Sequence, residues 1–158
     1  MTIEIPEVGS TFAENATQKA ETVSRICGAD VVADDSGLCV EALEGAPGIY
    51  SARYAGIHGD DDANNRLLLD HLVRIPAPRR ARFVCVVALA RPGRPTLLAE
   101  GICEGEIAFA PQGTGGFGYD PLFLTSEGRF SEIPESRKNI ISHRAKALRN
   151  LLRTLDYR

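Results

Sequence analysis

The sequence has 158 residues, of which 44% are hydrophobic and 25% charged, and its net charge is −3. That length suits one domain with a real core; no apolar run approaches the ~20 residues that cross a bilayer, and the acidic balance argues against a dedicated nucleic-acid binder. The opening Met-Thr-Ile-Glu-Ile-Pro-Glu has neither a basic start nor an apolar stretch, so no secretory signal is expected and the chain reads as cytoplasmic.

Taken in chain order, Thr11-x-x-Glu14 reads as a capping box. Behind it Phe12, Ala16, Ala20, Val23 and Ile26 recur at helical spacing and Gly28 is a natural stop, which predicts a helix over about residues 12–27. Val31-Val32-Ala33 reads as a short buried strand ending at Asp34-Asp35-Ser36-Gly37, and Leu38 to Leu43 as a second strand. Gly45-Ala46-Pro47-Gly48 is turn chemistry. Asp60 to Asp62 predict the cap of a helix with Leu67, Leu68 and Leu72 inside, ended by Pro76 and Pro78. Ala81 to Ala90 is a β-rich run, Arg91-Pro92-Gly93-Arg94-Pro95 turns the chain back, and Thr96 to Ala108 is its antiparallel partner. After a glycine loop over residues 113–118, Tyr119 to Thr125 predicts another strand. Ser142 predicts the cap of a last helix whose apolar face is Ala145, Leu148, Leu151, Leu152 and Leu155. The whole reads as a single mixed α/β domain over residues 1–158, built on a sheet. Cys27, Cys39, Cys85 and Cys103 form no C-x-x-C pair and have no histidine at metal spacing, so four reduced, mostly buried thiols are expected.

Charge is unevenly spread. Arg137 to Arg158 holds seven Lys or Arg and one acid, Asp156, a net +6 against −9 for the remainder. A basic end and an acidic remainder can hold a polyphosphate and its metal respectively; a solvated basic helix face has the same composition.

Several short stretches carry chemistry. Asp34-Asp35 at a strand tip before Ser36-Gly37 suits a hard cation, because magnesium takes one or two carboxylates and completes its shell with water and phosphate. Adjacent strand residues face opposite ways, so the two aspartates are expected to differ in role. An isolated Asp-Asp-Ser-Gly is equally a common surface turn. The glycine loop can bring backbone N–H donors close to a ligand, with Phe117 or Tyr119 stacking on a nucleobase; a tight hairpin with core aromatics fits the same residues. Ser142-His143-Arg144, with Lys138 just before, places donors at a helix N-terminus that favours anions or carbonyl oxygens. Lys19, near Glu14 and Asn15 on the first helix, means little alone.

In order, Thr11-Phe12-Ala13-Glu14-Asn15-Ala16 with Lys19, Ala33 to Leu38, Gly45 to Tyr54, Gly113 to Pro121, and Ser142-His143-Arg144 resemble the inosine triphosphate pyrophosphatase family, also described as dITP/XTP pyrophosphatases. The resemblance covers almost the whole chain, and its specificity lies in the combination of motifs. It implies a mixed α/β fold with an elongated twisted β-sheet flanked by helices and a cleft between two lobes. It also implies magnesium-dependent hydrolysis of ITP, dITP and XTP to the monophosphate and pyrophosphate, and a homodimer. Carried over by position, Asp35 matches the catalytic and metal-contacting aspartate, Glu7 a metal-associated glutamate and Asp34 its acidic neighbour. Lys19 matches a phosphate-contacting lysine. Ser36, Phe117, Gly118, Tyr119, Asp120, Lys138, His143 and Arg144 match nucleotide-binding positions.

The family resemblance further implies a preceding strand and a loop of Thr or Ser, Asn and Lys that grips the triphosphate. This chain begins after that unit, so weak or no activity on ITP and self-association through the uncovered sheet region are expected of it. The alternative function is a nucleotide-binding or dimer-forming module that keeps the base pocket without turnover.

Overall fold

The densest apolar run of the sequence, Phe83 to Ala90, lies inside a five-stranded sheet. A computed structural model describes residues 3–156; Met1, Thr2, Tyr157 and Arg158, the last a member of the basic segment, lie outside the described residues. The strands are β1 (Val31–Val40), β2 (Arg80–Ala90), β3 (Leu97–Ile107), β4 (Phe123–Thr125) and β5 (Gly128–Arg129), antiparallel and in sequence order across the sheet. The helices are α1 (Phe12–Cys27), α2 (Asp61–His71), α3 (Glu135–Ile141) and α4 (His143–Asp156), with 3-10 turns at Glu41–Leu43 and Gly48–Arg53. This is the expected mixed α/β architecture.

β2 can be apolar nearly throughout because both of its faces are covered. Val86, Ala88 and Ala90 pack with Ala16 and Ala20 of α1. Cys85, Val87 and Leu89 point the other way, to Leu97 and to Ala147 and Leu151 of α4. A third cluster joins Leu38, Phe83 and Phe123 to Leu68 of α2 and to Leu72, which caps it, both fully buried. Burial of a leucine contributes about 2 kcal/mol, so the C-terminal half of α2 is rooted in the core.

Local signals set the helix ends. Thr11 Oγ1 accepts the Glu14 N–H at 3.1 Å, and Gly28, at φ +64°, returns its N–H to Ser24 O at 2.8 Å. The Glu14 carboxylate turns back onto the N–H and hydroxyl of Ser10 rather than onto Thr11 itself. Asp60 caps α2 through Ala63 N–H, and Ser142 caps α4 through Ala145 N–H.

Several expectations need correction. Asp34 to Gly37 is not a turn between two strands but the middle of β1, which runs unbroken to Val40. Register with β2 supplies the backbone hydrogen bonds that such weak strand formers do not secure alone. β1 is an edge strand, so Val32 is 52% exposed instead of buried. The strand expected over residues 119–125 shortens to β4 and folds back as β5, and α3 appears where no helix was expected. On α4 the buried positions are Ala147 and Leu151, with Leu148 and Leu152 exposed; on α1, Ile26 and Cys27 are exposed.

Candidate functional site

The register of β1 against β2 decides which way each aspartate faces. Asp35 lies opposite Val86, on the α1 side, and Asp34 opposite Val87, on the α4 side. Asp35 is 7% exposed; its Oδ2 accepts from Asn15 Nδ2 at 3.0 Å and its Oδ1 lies 3.4 Å from Lys19 Nζ. Lys19 also donates to Asp34 O at 3.0 Å and pairs with Glu7 Oε1 at 2.8 Å. Burial holds the Asp35 carboxyl above its ordinary range despite the opposing Asn15 and Lys19 contacts. Burial alone would lower Lys19, but Glu7 and Asp35 outweigh it and hold the ammonium above its usual range. On the other face, Asp34 Oδ2 accepts from Arg144 Nε at 3.0 Å, and Arg144 reaches Ser36 Oγ at 3.5 Å.

The glycine loop forms a second wall. Asp120, 5% exposed, accepts Phe117 N–H at 3.2 Å and Lys138 Nζ at 2.7 Å. Gly118 donates its N–H to Asp61 Oδ2 at 2.9 Å and accepts from Asn65 Nδ2 at 3.0 Å. The N–H groups of Phe117 and Gly118, expected from the sequence to be ligand donors, are thus engaged within the protein. Phe117 is 63% exposed, with Lys138 and Arg144 at 5.5 and 5.6 Å from its ring centre. Tyr119 is instead 4% exposed, its hydroxyl donating to Ser51 O at 2.7 Å, so it is a core aromatic.

His143, at the start of α4, stacks on Phe83 with centroids 4.8 Å apart. Burial, helped by Arg144, lowers it from an ordinary 6.5 to about 4, so the ring is neutral at pH 7. Its Nδ1 is buried without a partner among the described residues.

These side chains share one cavity of about 840 Å³, within the ~300–1,000 Å³ typical of small-molecule sites. All twelve residues singled out in the sequence line it: Glu7, Lys19, Asp34, Asp35, Ser36, Phe117, Gly118, Tyr119, Asp120, Lys138, His143 and Arg144. Arg149 of the basic segment also lines the cavity, and three of its cations have partners within the protein. Arg137 pairs with Glu127, Lys146 donates to Ile102 O and Arg149 to Ile140 O. Asp61 and Asn65 were not singled out; the only local signal was the helix cap beside Asp61, and their partner lies more than fifty residues away.

Among the described residues no group of three or more His, Cys, Asp or Glu is gathered as a ready ligand set. Glu7 and Asp35 stand on either side of Lys19 Nζ, and two carboxylates fit a magnesium that brings water and phosphate with it. Asp34, turned to Arg144, does not join them.

Carboxylates paired with lysine and arginine, together with an exposed aromatic, line one cavity of an α/β protein, a setting suited to a charged, aromatic ligand. The Ham1 family model matches residues 1–154. Similar proteins include dITP/XTP pyrophosphatases of Listeria monocytogenes, 54% identical over 96% of this chain and 76% of that protein, and of Shouchella clausii, 50% identical over 97% and 80%. The Staphylococcus aureus Ham1 protein superposes with a TM-score of 0.91 at 43% identity, over 98% of this chain and 81% of that one. A structure described as a nucleoside-triphosphatase / dITP/XTP pyrophosphatase from Mycobacterium abscessus gives 0.82 at 44%, with 98% and 81% covered. The chain belongs to the Ham1 family.

Proposed function

We propose that this chain hydrolyses nonstandard purine nucleoside triphosphates, dITP, XTP and ITP, to the monophosphate and pyrophosphate with magnesium. The observation that carries this reading is the buried Asp35, held against Lys19 and Glu7 at one part of a cavity that also exposes Phe117, Lys138 and His143. The names of its relatives supply the substrate class.

Asp35 is the general base in this reading. A carboxyl raised by burial takes a proton more readily at neutral pH. Its Oδ2 is held by Asn15, which leaves Oδ1, only loosely held by Lys19 at 3.4 Å, to accept the proton of the attacking water. Lys19 has three N–H bonds, directed to Glu7, Asp34 O and Asp35. Exchange of the longest for a phosphate oxygen engages the substrate and frees Asp35 Oδ1 together. Glu7 and Asp35 are the proposed magnesium ligands; when bound, the ion withdraws charge from phosphate oxygens and lowers the pKa of water.

At the base end, hypoxanthine and xanthine present an oxygen at C6 where adenine presents an amino group. The neutral His143 ring offers one N–H, and Lys138 and Arg144 add cationic donors. A donor left facing adenine's amino group costs roughly 1–3 kcal/mol. Phe117 supplies an exposed face for stacking.

On the family resemblance, the molecule works as a single-domain, cytoplasmic homodimer whose ligand is the nucleotide and neither a nucleic acid nor a membrane. Among the described residues no helix is long and apolar enough to cross a bilayer.

The test is pyrophosphate release from ITP, XTP, GTP and ATP with Mg²⁺ and with EDTA. Cleavage of ITP and XTP ahead of GTP and ATP, at whatever rate and abolished by EDTA, is expected. No release from either favoured substrate overturns the reading. If ITP binds without cleavage and Asp35→Asn leaves binding unchanged, a binding module replaces the enzyme.

A further inference from the structure

Three side chains on the first turns of α2 reach two separate loops. Asn64 donates to Ala52 O at 3.0 Å and accepts from Ala55 N–H at 2.7 Å. Asp61 and Asn65, one helical turn apart, take the N–H and the C=O of Gly118 respectively, at 2.9 and 3.0 Å. Residues four apart share a helix face, so two side chains can meet one loop residue.

Asn65 is 8% exposed, and its Oδ1 has no partner among the described residues. A buried amide with an unpaired acceptor weakens a fold, and asparagine is a poorer helix former than alanine or leucine. Packing therefore does not account for this residue, whereas its donor to Gly118 does.

Gly118 matters through its neighbours. It sits at φ +58°, between the exposed Phe117 and the buried Tyr119. Asp120 Oδ2 accepts both Phe117 N–H and the Lys138 ammonium. A shift at Gly118 therefore moves Phe117 and Asp120 together, and with Asp120 the cation it pairs. α2 cannot follow such a shift, because Leu68 and Leu72 anchor it in the core.

We propose that Asp61 and Asn65 are positioning residues for the purine: they hold the loop from Phe117 to Asp120 in one conformation, so that no ordering cost falls on binding. This rests on the proposed function, which puts the purine against Phe117. The consequence is selective. Without the clamp, ligands that carry a base bind more weakly, and ligands that carry only phosphate do not, because Asp35 and Lys19 are held by β1 and α1.

The test compares Asp61→Ala, Asn65→Ala and Asp61→Asn, the last of which keeps an acceptor for Gly118 N–H. ITP kinetics are measured together with the affinities of IMP and of pyrophosphate by calorimetry. In both alanine variants, KM for ITP and Kd for IMP are expected to rise about tenfold, with kcat within about twofold of wild type. Pyrophosphate affinity stays unchanged, and Asp61→Asn recovers most of the loss. Unchanged KM and IMP affinity in both alanine variants overturns the proposal, as does a parallel loss of kcat and of both affinities, which marks a merely structural role. A wild-type chain that neither cleaves ITP nor binds IMP sinks the proposed function, and this inference with it. A wild type that cleaves ITP keeps that reading intact whatever the variants do. Asp61 is only partly buried, so Asp61→Ala carries the test where Asn65→Ala does not fold.

Discussion

Asp34 and Asp35 are adjacent in sequence and serve opposite helices: Asp35 accepts from Asn15 and Lys19 on α1, and Asp34 from Arg144 on α4. The two-residue period of a strand imposes the split, and pairing with Val86 and Val87 fixes which aspartate goes where. β1 thereby ties both helices to one sheet edge, and side chains from both of its faces enter the cavity.

Asp35→Asn keeps the shape of the side chain and removes its capacity as a base. Pyrophosphate release is expected to fall at least about 100-fold, with the thermal midpoint close to wild type. Asp34→Asn breaks a pair whose partners are 38% and 47% exposed, so it should cost no more than about 1 kcal/mol and keep turnover within roughly tenfold. Equal losses in the two variants would contradict the separate roles.

Lys19→Met leaves Glu7 and Asp35 facing each other without a counter-charge. Lys19 and Glu7 are partly exposed, at 22% and 28%, and Asp35 is buried, at 8%, so a loss of about 2 kcal/mol is expected, between the surface and buried limits. Urea unfolding measures it, and adding Glu7→Gln should restore part of the loss. Undiminished stability of the single variant counts against the triad.

Lys138→Met strands the carboxylate of Asp120. Both side chains are nearly buried, at 11% and 7% exposure, and breaking such a pair costs about 3–5 kcal/mol. The double change Lys138→Met with Asp120→Asn should recover more than half of it. A double-mutant cycle with no coupling would rule the pair out as a structural element.

Stability should fall with acid through His143. Its folded pKa of about 4 lies below the ordinary 6.5, so the unfolded chain binds the proton first. The contribution is complete above pH 6.5 and is lost as the pH falls from there towards 4, amounting to at most about 3 kcal/mol. Asp35, whose pKa is raised, has the opposite slope above the usual carboxylate range. The difference between wild type and His143→Gln therefore isolates the histidine. Melting curves from pH 7 to 4 should be flatter for the variant, and identical slopes would show that His143 stays protonatable in the fold.

Gly101→Ala puts a Cβ into the backbone of α4, within clash distance of His143 O and Ala147 N. Neither is a flexible side-chain end, so the helix must move off β3. A lowered melting temperature and weaker nucleotide binding are expected together, since α4 carries His143 and Arg144. A wild-type melting temperature would mean that α4 has room to give.

Much of the frame is legible in the order of the residues. Thr11, Glu14 and Gly28 bound α1, and the turn at Arg91–Pro95 announces the β2–β3 pair, because caps and turns are satisfied by neighbours in sequence. The candidate residues, drawn from stretches far apart in the chain, do share one cavity. Their partners are less visible. That Tyr119 is a core aromatic depends on Ser51, 68 residues away.

Sequence alone thus determined the ends of α1, the caps of α2 and α4, the central hairpin and the class of fold, which follow from local hydrogen bonding and periodicity, while the roster of candidate residues rested on motifs and the family resemblance. Tertiary structure alone decided that Asp34 to Gly37 is strand, which aspartate meets which helix, and that α2 grips Gly118. The physical reason is that register, burial and side-chain pairing are set by groups distant along the chain. A carboxylate's environment, and with it its chemistry, exists only once those groups have come together.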